Sequence, residues 1–158
     1  MNQGLAITVG CALVAIAGLH VYWGLGGFWP GHDAASLVDM VVGARPGTPV
    51  PPLWACLFVA ICLLLPAVSS LMIAYRATSA MPTLLAWIPA AALWFSALVF
   101  LARGLSTYLS PLVLSARGTA FYELDRMLYA PLCLGLAAGL VTVWLTRPKT
   151  QPIPKVTL

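Results

Sequence analysis

His20, Tyr22, Trp23, Trp54, Arg103, Tyr122, Asp125, Arg126 and Tyr129 are the residues through which this chain could do chemistry. An imidazole, a carboxylate, guanidiniums and phenols can bind the polar head of a small molecule or move a proton. Their spacing puts them on helix faces. Leu13, Ala17, His20 and Gly24 share one face, as do Ser96, Phe100, Arg103 and Thr107, and Tyr122, Asp125, Arg126, Tyr129 and Cys133 follow the same helical period. Each residue also has a plainer reading. Asp125 could pair with Arg103 or Arg126 and pin helix ends. His20 could bond a tyrosine or a backbone carbonyl, and Arg103 could snorkel to lipid headgroups. A catalytic His20–Asp125 pair would need hydrogen-bond reach of about 2.6–3.2 Å, or a bridging water.

More specific chemistries find little support. His20 and His32 are the only histidines, and they are not spaced to share a helix face as a metal or haem pair. Cys11, Cys56, Cys62 and Cys133 lie in apolar stretches without a C-x-x-C, which argues against a thiol–disulfide relay. Buried thiols of this kind behave as small apolar side chains. No G-x-S-x-G, H-E-x-x-H or P-loop occurs. No catalytic residue, metal ligand or cofactor is therefore assigned.

The elements that position these residues follow from composition. Of 158 residues, 61% are hydrophobic and 8% charged, with 8 Lys+Arg against 4 Asp+Glu. An ordinary soluble domain is roughly 45–50% apolar and about 25% charged. So little charge cannot keep a soluble surface wet, which excludes a cytoplasmic globular enzyme, a disordered chain and an ordinary nucleic-acid binder. The net charge of +4 comes from scarce acids, not from a basic stripe. The long stretches without a charged side chain, 1–32, 46–75, 77–102 and 127–146, can each hold one membrane span. A hydrocarbon core about 30 Å thick needs roughly 20 apolar residues, and lipid cannot satisfy the backbone of an open strand.

The expected fold is all-α, a polytopic four-transmembrane-helix bundle. It forms a single domain over 1–146, with spans near 5–25, 53–75, 83–103 and 124–146. Residues 147–158 read as a basic, disordered tail. Ala15-Ile16-Ala17 resembles a signal cleavage site, but no Lys or Arg precedes the apolar stretch, so a retained helix is expected. In the first loop Asp33 can cap a short interfacial helix, Ala34–Val42, stopped by Gly43. Pro66, Pro89 and Pro131 fall inside spans two, three and four and favour kinks. Gly135 and Gly139 form a G-x-x-x-G that lets another helix approach, within the bundle or across a homo-oligomer or membrane-complex contact.

An even number of spans puts both ends on one side. The basic tail of Arg147, Lys149 and Lys155 and the tight loop at Arg76 favour the cytoplasm for both. Whichever way the chain points, the end of span one, the start of two, the end of three and the start of four share a side. That gathers the nine candidate residues at one leaflet, in a polar pocket roofed by the first and third loops. Trp23, Trp29 and Trp54 fall at one interface and Trp144 and Trp87 towards the other, as an aromatic belt requires, with Trp94 nearer mid-membrane.

The run His20-Val21-Tyr22-Trp23-Gly24-Leu25-Gly26-Gly27-Phe28-Trp29-Pro30-Gly31 resembles the signature of a family of small bacterial membrane proteins. So do Val41-Val42-Gly43, the proline-rich entry to span two, and the sequence from Tyr122 through Asp125, Arg126, Tyr129 and Pro131 to Leu132-Cys133. The family is a domain of unknown function, similar to this chain over nearly its whole length. The resemblance implies a four-helix integral protein of the bacterial plasma (inner) membrane and supplies no activity.

Three functions compete. The first is a binding module for a lipid-like or quinone-like amphipathic molecule whose head meets the polar cluster, since apolar walls with a few convergent polar groups are what ligand sites have. The second is a structural or accessory subunit of a membrane complex. The third is a membrane redox enzyme using His20. The absence of any motif inclines the reading away from catalysis.

Overall fold

The computed structural model describes residues 3–43, 47–75, 77, 82, 84–85, 87–109 and 119–147. Four helices among them are long and apolar enough to cross a membrane: α1 (Gln3–Gly24), α3 (Leu53–Ala74), α4 (Ile88–Leu109) and α5 (Ala120–Leu145). They contain 22, 22, 22 and 26 residues, with mean hydropathies of 2.1, 2.6, 1.7 and 1.9 over their most apolar windows. At 1.5 Å per residue each reaches roughly 33 Å or more, enough for the hydrocarbon core. A short helix α2 (Ala34–Leu37) runs into a π-helical turn, Val38–Val42. All the described elements are helical.

The spans alternate in direction and pack mainly in sequence order, α1 on α3, α3 on α4 and α4 on α5, with α1 and α5 also touching. One core runs through them. Ala6, Val9, Leu13 and Ala17 on α1 meet Ala60, Leu63 and Ala67 on α3, Leu93 and Ala97 on α4, and Leu136, Leu140 and Val143 on α5. These are i, i+3/i+4 stripes in which alanines let backbones approach. The opposite faces carry large apolar side chains such as Phe58, Phe95 and Leu98, all exposed, as a lipid-facing surface requires. Trp94 also faces outward rather than filling the centre.

Two glycines set close approaches. A Cβ on Gly24 would lie 2.9 Å from Cys56 Cβ, so only glycine lets the end of α1 reach the start of α3. Gly139 is buried against Val9, where a Cβ would come within 2.7 Å of Cγ2, whereas Gly135 is exposed with open space around it.

Helix α4 departs from expectation. It starts at Ile88 rather than 83 and ends at Leu109 rather than 103. Pro89 is its second residue, in the first turn, where a missing N–H costs no intrahelical bond. Pro89 therefore starts this span and does not kink it, while Pro66 does lie within α3. At the other end a guanidinium does not stop the helix, because arginine is a good helix former. Gly104 and Thr107, expected in the connection after 103, are consequently helical like Arg103. The remainder of that connection, 110–118, and the tail beyond Arg147 lie outside the described residues, as do Arg45 and Arg76.

Residues 25–43 form a strap that closes over one end of the bundle. Asp33 Oδ1 accepts from the Ser36 N–H at 2.8 Å, and Ser36 Oγ accepts from the Asp33 N–H at 3.0 Å, a reciprocal cap. The backbone and hydroxyl bonds from Ser36 hold the Asp33 carboxyl below its ordinary 3.8. Leu37 and Val38 are buried, and Gly43 ends the turn at φ 66°, with its N–H on Val38 O at 2.9 Å.

Adding a methyl group separates the tight contact from the open one. Gly24→Ala should destabilise the protein by about 1–3 kcal/mol through overpacking. Gly135→Ala should be neutral or stabilising by up to about 1 kcal/mol through helix propensity. Denaturant unfolding in detergent measures both, and equal effects would contradict this packing.

Candidate functional site

Asp125, the sixth residue of α5, is a fully enclosed carboxylate. Three bonds hold it. Arg103 Nη2 donates to Oδ1 at 2.5 Å, Arg103 Nη1 donates to Oδ2 at 3.3 Å, and the Thr107 hydroxyl donates to Oδ2 at 2.6 Å. Arg103 Nη1 also donates to Thr107 Oγ1 at 3.1 Å, which closes the cluster. Arg103 and Thr107 are one turn apart on α4, so both reach across the same seam. Gly104 between them makes that reach possible, since a Cβ there would lie 2.7 Å from Leu134 Cγ and 3.1 Å from Ala130 O on α5. Arg103 stands six residues before the end of α4, about 9 Å inside it. Its side chain is 38% exposed, against 0% for Asp125.

The backbone around Asp125 is unusual for a physical reason. Asp125–Tyr129 form a π-helical turn closed by the Ala130 N–H on Asp125 O. The next residue, Pro131, has no N–H to continue that register onto Arg126 O. The Tyr108 hydroxyl of α4 donates to Arg126 O instead, at 3.1 Å. Pro131 thus acts through a π turn and a side-chain bond from the neighbouring helix.

A second feature lies at the same end of the bundle. His20 and Trp23 of α1, Leu37, Val41 and Val42 of the strap, and Pro51, Ala55, Cys56 and Val59 at the start of α3 line a cleft of about 250 Å³. Ala55, Cys56 and Val59 fall on one face of α3. Val42 and Val59 are also exposed on the outer surface, so the cleft opens sideways between strap and helix. His20 sits four residues, about 6 Å, inside the end of α1. Its Nδ1 lies 2.9 Å from Ile16 O, and its ring meets Trp23 edge-on with centroids 5.1 Å apart. Trp23 Nε1 donates to Trp29 O at 2.6 Å.

The nine candidates therefore do not form one pocket. His20 and Trp23 line the cleft. Arg103 and Asp125 form the clamp between α4 and α5. Tyr129 joins the two regions, its hydroxyl donating to Met40 O of the strap at 3.4 Å. Tyr122 is buried, its N–H capped by Thr119 Oγ1 at 3.2 Å. Tyr22, Trp54 and Arg126 are exposed, and the Tyr22 ring fills the space beside Gly27, where a Cβ would collide with it. His20 and Asp125 bond to different partners, so the catalytic pair considered above is not formed.

Several contributors escaped sequence reasoning. Thr107 stood on the right face, and its i+4 spacing from Arg103 was the available signal. Tyr108, and the cleft walls Leu37, Val41, Ala55 and Val59, carry no mark that separates them from ordinary core.

Composition and fold together define a multi-pass helical membrane protein. Residues 13–140 match the family model described as "Protein of unknown function (DUF3995)", and the chain belongs to that family. No curated protein and no solved structure matches it.

Removing Asp125 strands the guanidinium inside the bundle. Breaking a buried pair costs about 3–5 kcal/mol, and partial exposure of Arg103 lowers the expectation for Asp125→Ala to about 2–3 kcal/mol. The double variant Arg103→Met/Asp125→Leu should regain at least half of that loss in detergent unfolding. Additive losses would mean the pair is not a clamp.

Proposed function

We propose that this protein binds one end of a lipid-like, amphipathic small molecule in the cleft beside His20. The observation that carries this reading is an apolar cleft of about 250 Å³ with an imidazole in its wall, opening sideways past Val42 and Val59. Sites for whole drug-sized ligands run about 300–1,000 Å³, with apolar walls and few polar groups. A smaller cleft suits one end of a longer molecule, whose remaining chain lies along α3 in the bilayer. In this reading the Arg103–Asp125–Thr107 cluster is a positioning clamp and not a ligand contact, because its polar atoms bond to one another.

Small-molecule extraction and mass spectrometry of the purified protein test this. The wild type should retain an amphiphile enriched over bulk membrane lipid. Ala55→Trp, which fills the cleft, should lose it, and Gly135→Ala, in open space away from both cleft and clamp, should keep it. Bulk lipid alone on all three would end the proposal.

The setting we infer is a bacterial inner membrane with both termini cytoplasmic. Its supports are the resemblance of the His20–Gly31 and Tyr122–Cys133 motifs to small bacterial proteins and the basic residues at 76, 147, 149 and 155. Reporter fusions at each terminus should be active only in their cytoplasmic form; a periplasmic signal from either end would reverse the orientation.

A further inference from the structure

The hydrogen-bonding state of His20 narrows what the cleft can take. Nδ1 lies 2.9 Å from the carbonyl oxygen of Ile16, one turn back on its own helix. A carbonyl only accepts, so when the ring is neutral Nδ1 carries its proton and Nε2 carries a lone pair. Nε2, across the ring from Nδ1, has no protein partner among the described residues. The edge-on contact with Trp23 holds the ring plane.

Other side-chain polar groups of the lining are already used. The Trp23 indole N–H is spent on Trp29 O, and the Cys56 thiol points to Pro51 O at 3.9 Å. The imidazole therefore offers the cleft an acceptor. To that neutral ring, an uncharged head that only accepts, such as a ketone or an ether, would set lone pair against lone pair.

Resting on the reading of the cleft as an amphiphile site, we propose that the ligand is an apolar chain ending in a hydroxyl, whose O–H donates to His20 Nε2. A fatty alcohol, an isoprenoid alcohol and a monoacylglycerol share this chemistry. Their common features are a slim apolar chain that fits a wall of Leu37, Val41 and Val59 and one donor at its tip.

The full chain in nanodiscs, titrated with 1-decanol, with 1-methoxydecane (same chain, no donor) and with decanoate, tests the proposal. Trp fluorescence reads binding, and ¹⁵N-histidine spectra read the ring. The wild type should prefer decanol over the ether by about three- to tenfold, the worth of one hydrogen bond. His20→Leu should reduce that ratio to near one, and His20→Gln, whose amide oxygen can accept, should restore part of it. The His20 signals should report a protonated Nδ1, with Nε2 shifting when decanol is added.

Equal binding of alcohol and ether, stronger binding of decanoate, or a protonated Nε2 in the neutral ring would overturn the hydroxyl assignment and leave the cleft proposal standing. Failure of all three probes, with no change on Ala55→Trp, would remove both.

Discussion

A carboxylate with no solvent contact, in a helix that lipid surrounds, persists only if other groups replace the water it has lost. Asp125 achieves this with the Arg103 guanidinium and the Thr107 hydroxyl, which bond to each other as well as to the carboxylate. The requirement reaches well beyond the three residues. It brings α4 and α5 close enough that Gly104 cannot carry a side chain. It fixes their register, because a shift of one residue on either helix would turn the partners away from each other. Such a pair adds little net stability against an apolar equivalent, but it penalises every other alignment of the helices strongly.

Pro131, which inside a helix would ordinarily be a defect, belongs to the same arrangement. Pro131 cannot donate to Met127 O as a regular α-helix would require, and the π turn Asp125–Tyr129 stands just before it. The turn then leaves Arg126 O to a donor from outside the helix, and Tyr108 of α4 supplies it. Two polar connections, Arg103 to Asp125 and Tyr108 to Arg126, thus cross the same seam from adjacent turns of α4. Backbone irregularity at membrane depth is tolerated where neighbouring side chains satisfy it, and here they also tie the helices together.

The four spans were legible because charge is scarce and its gaps are as long as a bilayer is thick. The cap at Asp33 and the stop at Gly43 were legible because each is a local rule carried by one residue type. The end of α4 was not. Counting charges placed a boundary at Arg103, but a charge ends a span only if it must reach water, and Asp125 on another helix removes that need. The same nonlocality hid the division of the candidate residues. Helical spacing put His20, Arg103, Asp125 and Tyr129 on sensible faces, but which helix faces which depends on close contacts such as Gly24 on Cys56 and Gly104 on Leu134. Those contacts place α1 chiefly against α3 and α5 against α4, so one expected pocket became a cleft and a clamp.

Cleft and clamp are nevertheless connected through the strap. Its inner side, Leu37, Val41 and Val42, walls the cleft. Its other contacts are with the first turns of α5, where Tyr129 bonds Met40 O and the Phe121 ring covers Gly43, leaving no room for a Cβ. The positions of Phe121 and Tyr129 depend on Asp125, which lies between them in sequence and is held by α4. A change in the clamp that leaves all cleft residues intact therefore moves the wall facing His20. On the proposed reading, a bound chain packing against Val41 and Val42 would favour the strap position that the clamp already sets. If the proposed binding holds, it and bundle alignment are two sides of one equilibrium, and each would stabilise the other by the same amount.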